Sequence, residues 1–219
     1  MRSTNPKKIG VAIAGLGFGE SVHLPAISSN SDFNLISLWH HRYERLEEAS
    51  KKHSVHCEFD WNNILRNPEV NAIILATPPE PRYKLAYEAL EAGKHLLLEK
   101  PVAISVEEII KLQKLALNKQ LSVAVDFEYR AVPLFMQAKK LIQDGHIGMP
   151  WLLKLDWLMS SRVKPERPWN WYSEKDKGGG VLGALGTHAF DIIHWLIGPT
   201  ERISALSSTS IKERLDPST

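Results

Sequence analysis

The 219-residue sequence predicts an α/β protein built on a doubly wound parallel sheet. Three observations carry this. Short apolar runs alternate with helical patterns from Lys8 to Val125. The first run is followed at once by a glycine-rich turn and a helical pattern. After Asp126 the texture changes to polar, aromatic and irregular sequence. The division therefore falls at 126, with one domain over residues 1–126 and part of a second, α+β, over 127–219.

Lys8 to Ala14 is apolar on both faces, as in a strand buried in a parallel sheet. Gly15-Leu16-Gly17-Phe18-Gly19-Glu20 follows, then a helical pattern through Val22, Leu24 and Ile27. Strand, glycine turn and helix in this order suit a dinucleotide: Gly15 permits the tight turn, and Gly17 lets a pyrophosphate approach the backbone at the helix N-terminus. The third glycine of such a turn is expected at position 20, which is Glu20, whereas Gly19 comes one residue early. A bare turn before a surface helix is the alternative.

Phe33 to Leu38 is the second predicted strand. Trp39-His40-His41-Arg42 closes it without the Asp or Glu that usually holds an NAD ribose. His40 and Arg42 suit a 2′-phosphate instead, because guanidinium offers planar paired donors. The expected cofactor is NADP or NAD, leaning to NADP; simple strand-end capping by the histidines is the alternative. Arg42 to His53 reads as a charged helix, and Asp60 as the cap of a short one. Asn71 to Ala76 is a third strand, closed by Thr77-Pro78-Pro79, a stiff loop at the border of a cofactor groove. Tyr83 to Ala92 is a helix stopped by Gly93. Leu96 to Leu98 then forms a buried strand ending in Glu99, Lys100 and Pro101, where open α/β sheets place their ligands. Ser105 with Glu108 forms a capping-box pattern, and Leu121 to Val125 is a fifth strand.

Beyond Asp126, Pro133 to Gln143 reads as a helix and Asp144 to Gly148 as a turn. The half-alternating Trp151 to Met159 reads as a strand of a sheet covered on one side. Arg162 to Lys177 is a long loop, rich in Pro, Trp and charge. Gly178-Gly179-Gly180 leads to Gly186-Thr187-His188, from which a helix runs to Leu196 with His188 and Asp191 on one face near its start. Glu201 to Ser207 begins another strand.

Composition excludes several classes. Charged residues make up 24% and the net charge is +2, too mild for a nucleic-acid partner. No apolar run approaches the ~18 residues of a membrane helix, so no membrane partner is expected. Met1 to Lys8 lacks the apolar core of a secretory signal. The single cysteine, Cys57, reads as a packing residue and, with no disulfide possible, favours a cytoplasmic location. A zinc site at His40 and His41 fails for want of further ligands, so no metal is expected.

Thr77-Pro78, the run Ala92-Gly93-Lys94-His95 into Glu99-Lys100-Pro101, Tyr129-Arg130, and the triple glycine leading to Gly186-Thr187-His188 and Asp191 together resemble the glucose–fructose oxidoreductase / inositol dehydrogenase / rhizopine-catabolism (Gfo/Idh/MocA) family. The likeness runs from Lys8 to about Ser207. It implies a Rossmann domain followed by the start of a domain with an open, mostly antiparallel sheet used for homo-oligomerisation. It implies a hydride transfer between nicotinamide and a hydroxyl carbon of a sugar, cyclitol or related polyol. Lys100 would lie beside the nicotinamide, with a cis Lys100–Pro101 bond as an expectation, and His188 would exchange the hydroxyl proton. The cofactor set is Gly15, Gly17, Phe18, Gly19, His40, Arg42, Thr77, Pro78, Glu99 and Lys100. Tyr129, Arg130, Trp169 and Asp191 face the substrate, although a core or lid role suits Trp169 equally.

Three departures stand against that pattern. Ala184 occupies the place, four before the histidine, where the family commonly has an acid. Asp191 or Glu99 could partly substitute for it. Arg82 stands where the family often has histidine. The second domain also stops after its first two expected strands, so the sheet is completed by another copy or the chain is a fragment. A non-catalytic nucleotide-binding regulator and an inactive truncated product are the alternatives to the enzyme.

Overall fold

A computed structural model describes residues 8–160, 163–164 and 166–215. The polar lead ahead of Lys8, and positions 162 and 165 of the tryptophan-rich loop, lie outside the described residues. The chain forms two compact units, one ending at Asp126 and the other beginning at Phe127.

The first unit holds five strands: β1 (Ile9–Ala14), β2 (Phe33–Trp39), β3 (Ala72–Leu75), β4 (His95–Leu98) and β5 (Val123–Val125). They form one sheet in the order β2-β1-β3-β4-β5, every pair parallel. Alternate residues of a strand face opposite sides, and both sides are covered. Ala12, Ala14, Ile73, Leu75, Leu96 and Leu98 pack on one side against Leu85, Ala89 and Leu112, with Trp61 and Ile64. Val11, Ile13 and Ile74 pack on the other against Leu24, Leu46 and Ala49. This double cover is why the strands read as continuous apolar runs.

The helices of this unit are α1 (Leu24–Ser29), α2 (Tyr43–His53), α3 (Trp61–Arg66), α4 (Pro79–Glu91) and α5 (Val106–Asn118). The Asp60 side chain caps α3 by accepting from the Asn62 N–H at 2.9 Å. Ser105 Oγ caps α5 by accepting from the Glu108 N–H at 3.2 Å. The Glu108 carboxylate in turn accepts from the N–H of Ile104, one residue ahead of the cap. Helix α4 starts four residues earlier than its apolar pattern suggests. Pro79 lacks only the N–H that a first helical residue leaves unpaired, so it opens the helix rather than the loop. Cys57 is buried, with its thiol 3.4 Å from the Leu46 carbonyl.

The glycine turn resolves the misplaced third glycine. Gly15 has φ +104°, and a Cβ there would stand 2.6 Å from the Ala76 carbonyl group. A single wide turn of π-helix, Gly19–His23, then enters α1, with the Leu24 N–H donating to the Gly19 carbonyl. That extra residue puts Gly19 against the sheet, where a Cβ would meet Ile13 at 3.0 Å and Ala76 at 3.2 Å. Glu20 swings away to the end of α2, 2.8 Å from both Lys52 Nζ and His53 Nε2. Those two partners hold its carboxyl below the usual range.

The second unit has a 3-10 turn at Glu128–Ala131, helix α6 (Pro133–Gln143), two further 3-10 turns, and a π turn at Leu182–Gly186 that runs into α7 (Thr187–Leu196). Among the described residues no strand follows Val125, and the sheet is wholly parallel. The strands expected at Trp151 to Met159 and Glu201 to Ser207, and the open antiparallel sheet they imply, are therefore not formed. Alternation makes a segment suitable for a sheet, but a strand exists only where a neighbour takes its backbone groups. Trp151 and Leu158 stand 91% and 93% exposed.

Candidate functional site

Parallel strands end on the same edge of their sheet, so the carboxyl ends of β1 to β5 gather the predicted cofactor residues of the first unit. β1 delivers the glycine turn, β2 delivers His40 and Arg42, β3 delivers Thr77 and Pro78, and β4 delivers Glu99 and Lys100. The chain departs to either side between β1 and β3, the switch point at which such sheets take ligands. At Gly17 an added Cβ would meet nothing, so its backbone is open to close approach. Phe18 is partly exposed and sets its ring edge-on to His23 at 5.5 Å.

Thr77 is buried, and its Oγ1 has no hydrogen-bond partner among the described residues. A buried hydroxyl left alone costs about 1–3 kcal/mol, so its position at the groove suits a ligand that completes it. The tight glycine turn, the open Gly17 backbone and this orphaned hydroxyl fit a nicotinamide dinucleotide. At the β2 end, His40 Nδ1 accepts from the Arg42 N–H at 3.0 Å, and His40 stacks on His41 at 4.3 Å. Burial first, and then the charges of His41 and Arg42, push the His40 imidazole down to about 4. It is therefore neutral at pH 7, and the positive charge offered by the pair His40 and Arg42 is that of Arg42.

Glu99 does not open towards the groove. Its carboxylate is buried 2.9 Å from His23 Nε2, and Asp126, at the end of β5, lies 3.7 Å from the same nitrogen. Burial, and then the Glu99 charge, raise the Asp126 carboxyl above its ordinary value. Sequence reading missed both His23 and Asp126 as members of this cluster. Nothing in the sequence joins residues so far apart: Glu99 and Asp126 follow β4 and β5, and His23 ends the turn that follows β1. Arg82 was noted only as a departure from the family. Arg82 is 2% exposed, and its guanidinium donates to the carbonyls of Thr77, Glu99 and Pro101. Two of those carbonyls flank Lys100. The Lys100–Pro101 bond is cis.

In the second unit His188 is buried in the first turn of α7. The Thr187 hydroxyl donates to the Gly183 carbonyl at 3.1 Å, tying the π turn to the helix start. Tyr129 stands edge-on to the imidazole at 4.8 Å, with Phe127 at 6.0 Å and Trp157 at 6.1 Å. Arg130 grips Asp191 with two parallel bonds of 2.8 and 2.5 Å. This paired geometry is the strong form of the contact. Asp191 is thereby engaged by Arg130, and Glu128 places its Oε1 3.5 Å from His188 Nε2. Ala184 is buried, without a carboxylate to offer. Trp169 makes its polar contacts elsewhere, with Glu174 and with the Leu215 carbonyl. Glu128 and Trp157 were not foreseen from the sequence.

Residues 9–127 match the family described as an oxidoreductase family with an NAD-binding Rossmann fold, and residues 135–218 match the GFO/IDH/MocA C-terminal domain. An uncharacterised oxidoreductase of Synechocystis is 42% identical over 217 residues, which is 98% of this chain and 58% of that protein. A levoglucosan dehydrogenase of Pseudarthrobacter phenanthrenivorans is 34% identical over 156 residues, 71% of this chain and 40% of the enzyme. A levoglucosan dehydrogenase solved with NADH and levoglucosan superposes with a TM-score of 0.84 at 28% identity, over 97% of this chain and 60% of that one. The chain thus spans about half the length of the curated relatives it matches. With more than half of its residues under the N-terminal family match and most of the remainder under the C-terminal one, the chain belongs to the Gfo/Idh/MocA oxidoreductase family.

Proposed function

We propose that the chain serves an NAD(P)-dependent dehydrogenase acting on a hydroxyl carbon of a sugar, cyclitol or related polyol. The observation that carries this reading is the placing of a dinucleotide-type glycine turn and Lys100 on one edge of one parallel sheet. Gly15, Gly17, Phe18 and Gly19 would hold the pyrophosphate end, Thr77 and Pro78 the ribose beside the nicotinamide, and Arg42 a 2′-phosphate, which favours NADP. When bound, the nicotinamide supplies the hydride donor or acceptor. The chain's own groups handle charge and proton: Lys100 stabilises negative charge developing on the substrate oxygen, and His188 exchanges the hydroxyl proton. Tyr129 and Arg130 orient the polyol, with Asp191 holding Arg130 in place, and Trp169 contributes from the loop.

Fluorescence titration with NADPH and NADH, followed by a turnover screen of levoglucosan, aldoses and inositols, tests the reading. Binding with turnover is expected, NADPH the tighter. Ala184, in place of an acid near His188, favours a second reading as a nucleotide-binding regulator, which predicts binding without turnover on every polyol. Failure to bind either nucleotide would overturn both.

Among the described residues no helix is long and apolar enough to cross a membrane; we propose a cytoplasmic location on the strength of the single cysteine. Trp151, Leu152 and Leu158 are large apolar side chains left exposed on the second unit, of the kind that proteins cover. We propose that a second copy covers it. Light scattering on a sizing column should give at least twice the chain mass, and Trp151→Glu should return it towards one; a monomeric wild type would end this part of the proposal.

A further inference from the structure

The carboxylate that the family pattern places at 184 is absent, yet the histidine it would serve does not lack one. His188 is 3% exposed and enclosed by the rings of Phe127, Tyr129 and Trp157. Burial in general disfavours an ionised side chain, and an imidazole is no exception. To take a proton from a hydroxyl it needs a negative group close by. Among the described residues, two acidic side chains meet this cluster. Asp191, on α7, is neutralised by the paired bonds from Arg130. Glu128, on the 3-10 turn, places Oε1 3.5 Å from His188 Nε2. Its negative charge is felt by the neighbouring ring as well, raising the Tyr129 hydroxyl after burial has done so.

We propose that Glu128 is the carboxylate partner of His188, taking from the 3-10 turn the place left vacant by Ala184 on the helix side. Glu128 is a positioning residue. It acts through His188, by stabilising the imidazolium formed when His188 accepts a proton and by fixing the plane of the ring. At 41% exposure its carboxylate keeps one side in water. An interaction with one side in water is modest, not that of a dry ion pair. Among the described residues, the charged and titratable groups named about the ring are Glu128 and Tyr129 from the turn, Arg130 from the same turn, and Asp191 from α7, with Arg130 and Asp191 paired to each other. The function assigned to the pair rests on the dehydrogenase reading, but the coupling between the two side chains does not.

The test is an NMR titration of ring-labelled histidine in the full chain, with His188 assigned by its loss in His188→Gln. In Glu128→Gln, which keeps shape and removes charge, the His188 titration midpoint should fall by about one pH unit. Glu128→Asp should restore part of the shift, since the charge returns about one carbon–carbon bond further away. Near-UV circular dichroism identifies a variant that has lost its packing, and should Gln do so, the Asp variant carries the test alone by its smaller fall. A His188 midpoint unmoved in a folded Gln variant, or in the Asp variant where that one stands alone, overturns the proposal. Absence of turnover on every polyol would remove the dehydrogenase reading and leave this titration as it stands.

Discussion

Lys100→Ala should lower kcat by about 10³-fold and leave the NADH dissociation constant little changed. The separation follows from where the chain places its groups. The glycine turn at the end of β1 supplies backbone for the pyrophosphate, and Lys100 takes no part in that turn. What Lys100 supplies is a charge at the end of β4 with its backbone fixed on both sides. The Glu99 N–H still donates to Leu75 in the sheet at 3.1 Å, whereas Pro101 has no N–H to give. The ladder therefore stops at the lysine, at the carboxyl edge of the sheet. Its positive charge is already felt by Asp126, whose raised carboxyl it partly offsets. A factor of 10³ corresponds to about 4 kcal/mol of transition-state stabilisation, a normal loss for one such group. Single-turnover measurements with saturating cofactor read it directly. A rate within about threefold of wild type would remove Lys100 from the chemistry.

Arg82→Ala should cost about 3 kcal/mol of stability, more than any surface change in the chain. The guanidinium sits in the first turns of α4 and reaches back to carbonyls at the ends of β3 and β4 and beyond the cis peptide. Truncation would leave three carbonyls without this donor and a buried space where a planar group stood. Charged donors to neutral carbonyls contribute about 1.5–3 kcal/mol each, and the cost of burying the guanidinium offsets a good part of the sum. Arg82→Lys should recover only part, because an ammonium cannot spread its donors over three directions as the fork does. Urea unfolding followed by tryptophan emission measures both. A midpoint for the alanine variant equal to wild type would mean that the strand ends are held by something else.

Local signals were legible and distant pairings were not. The Asp60 and Ser105 caps, the five apolar runs and the glycine turn each depend on residues within a few positions, and sequence shows them directly. The ends of α4 could be misread because Pro79 resembles a loop residue unless its place in the helix is known. Trp151 to Met159 shows the opposite error: the pattern was right for a strand, but pairing depends on a neighbour that periodicity cannot provide. The site divides in the same way. Lys100 and His188 stand out by their motifs. The partners Glu128 and His188 lie 60 positions apart, and His23 lies 76 positions from Glu99, so only the folded chain brings them together. Sequence also registered Arg82 merely as the wrong residue for its place, since a link to three backbone carbonyls leaves no trace in composition or period.

The wide turn at Gly19–His23 bears on how such nucleotide motifs diverge. Because one surplus residue is taken up in a single loosened coil, the points of contact with Ile13 and Ala76 stay where they are while the spelling slides by one letter. What the geometry fixes here is clearance, not spacing. A side chain displaced from the crowded position, here Glu20, is released to join the basic end of α2 and tether two layers of the protein. A motif search tuned to intervals would discard this chain; one tuned to where a methyl group cannot fit would keep it.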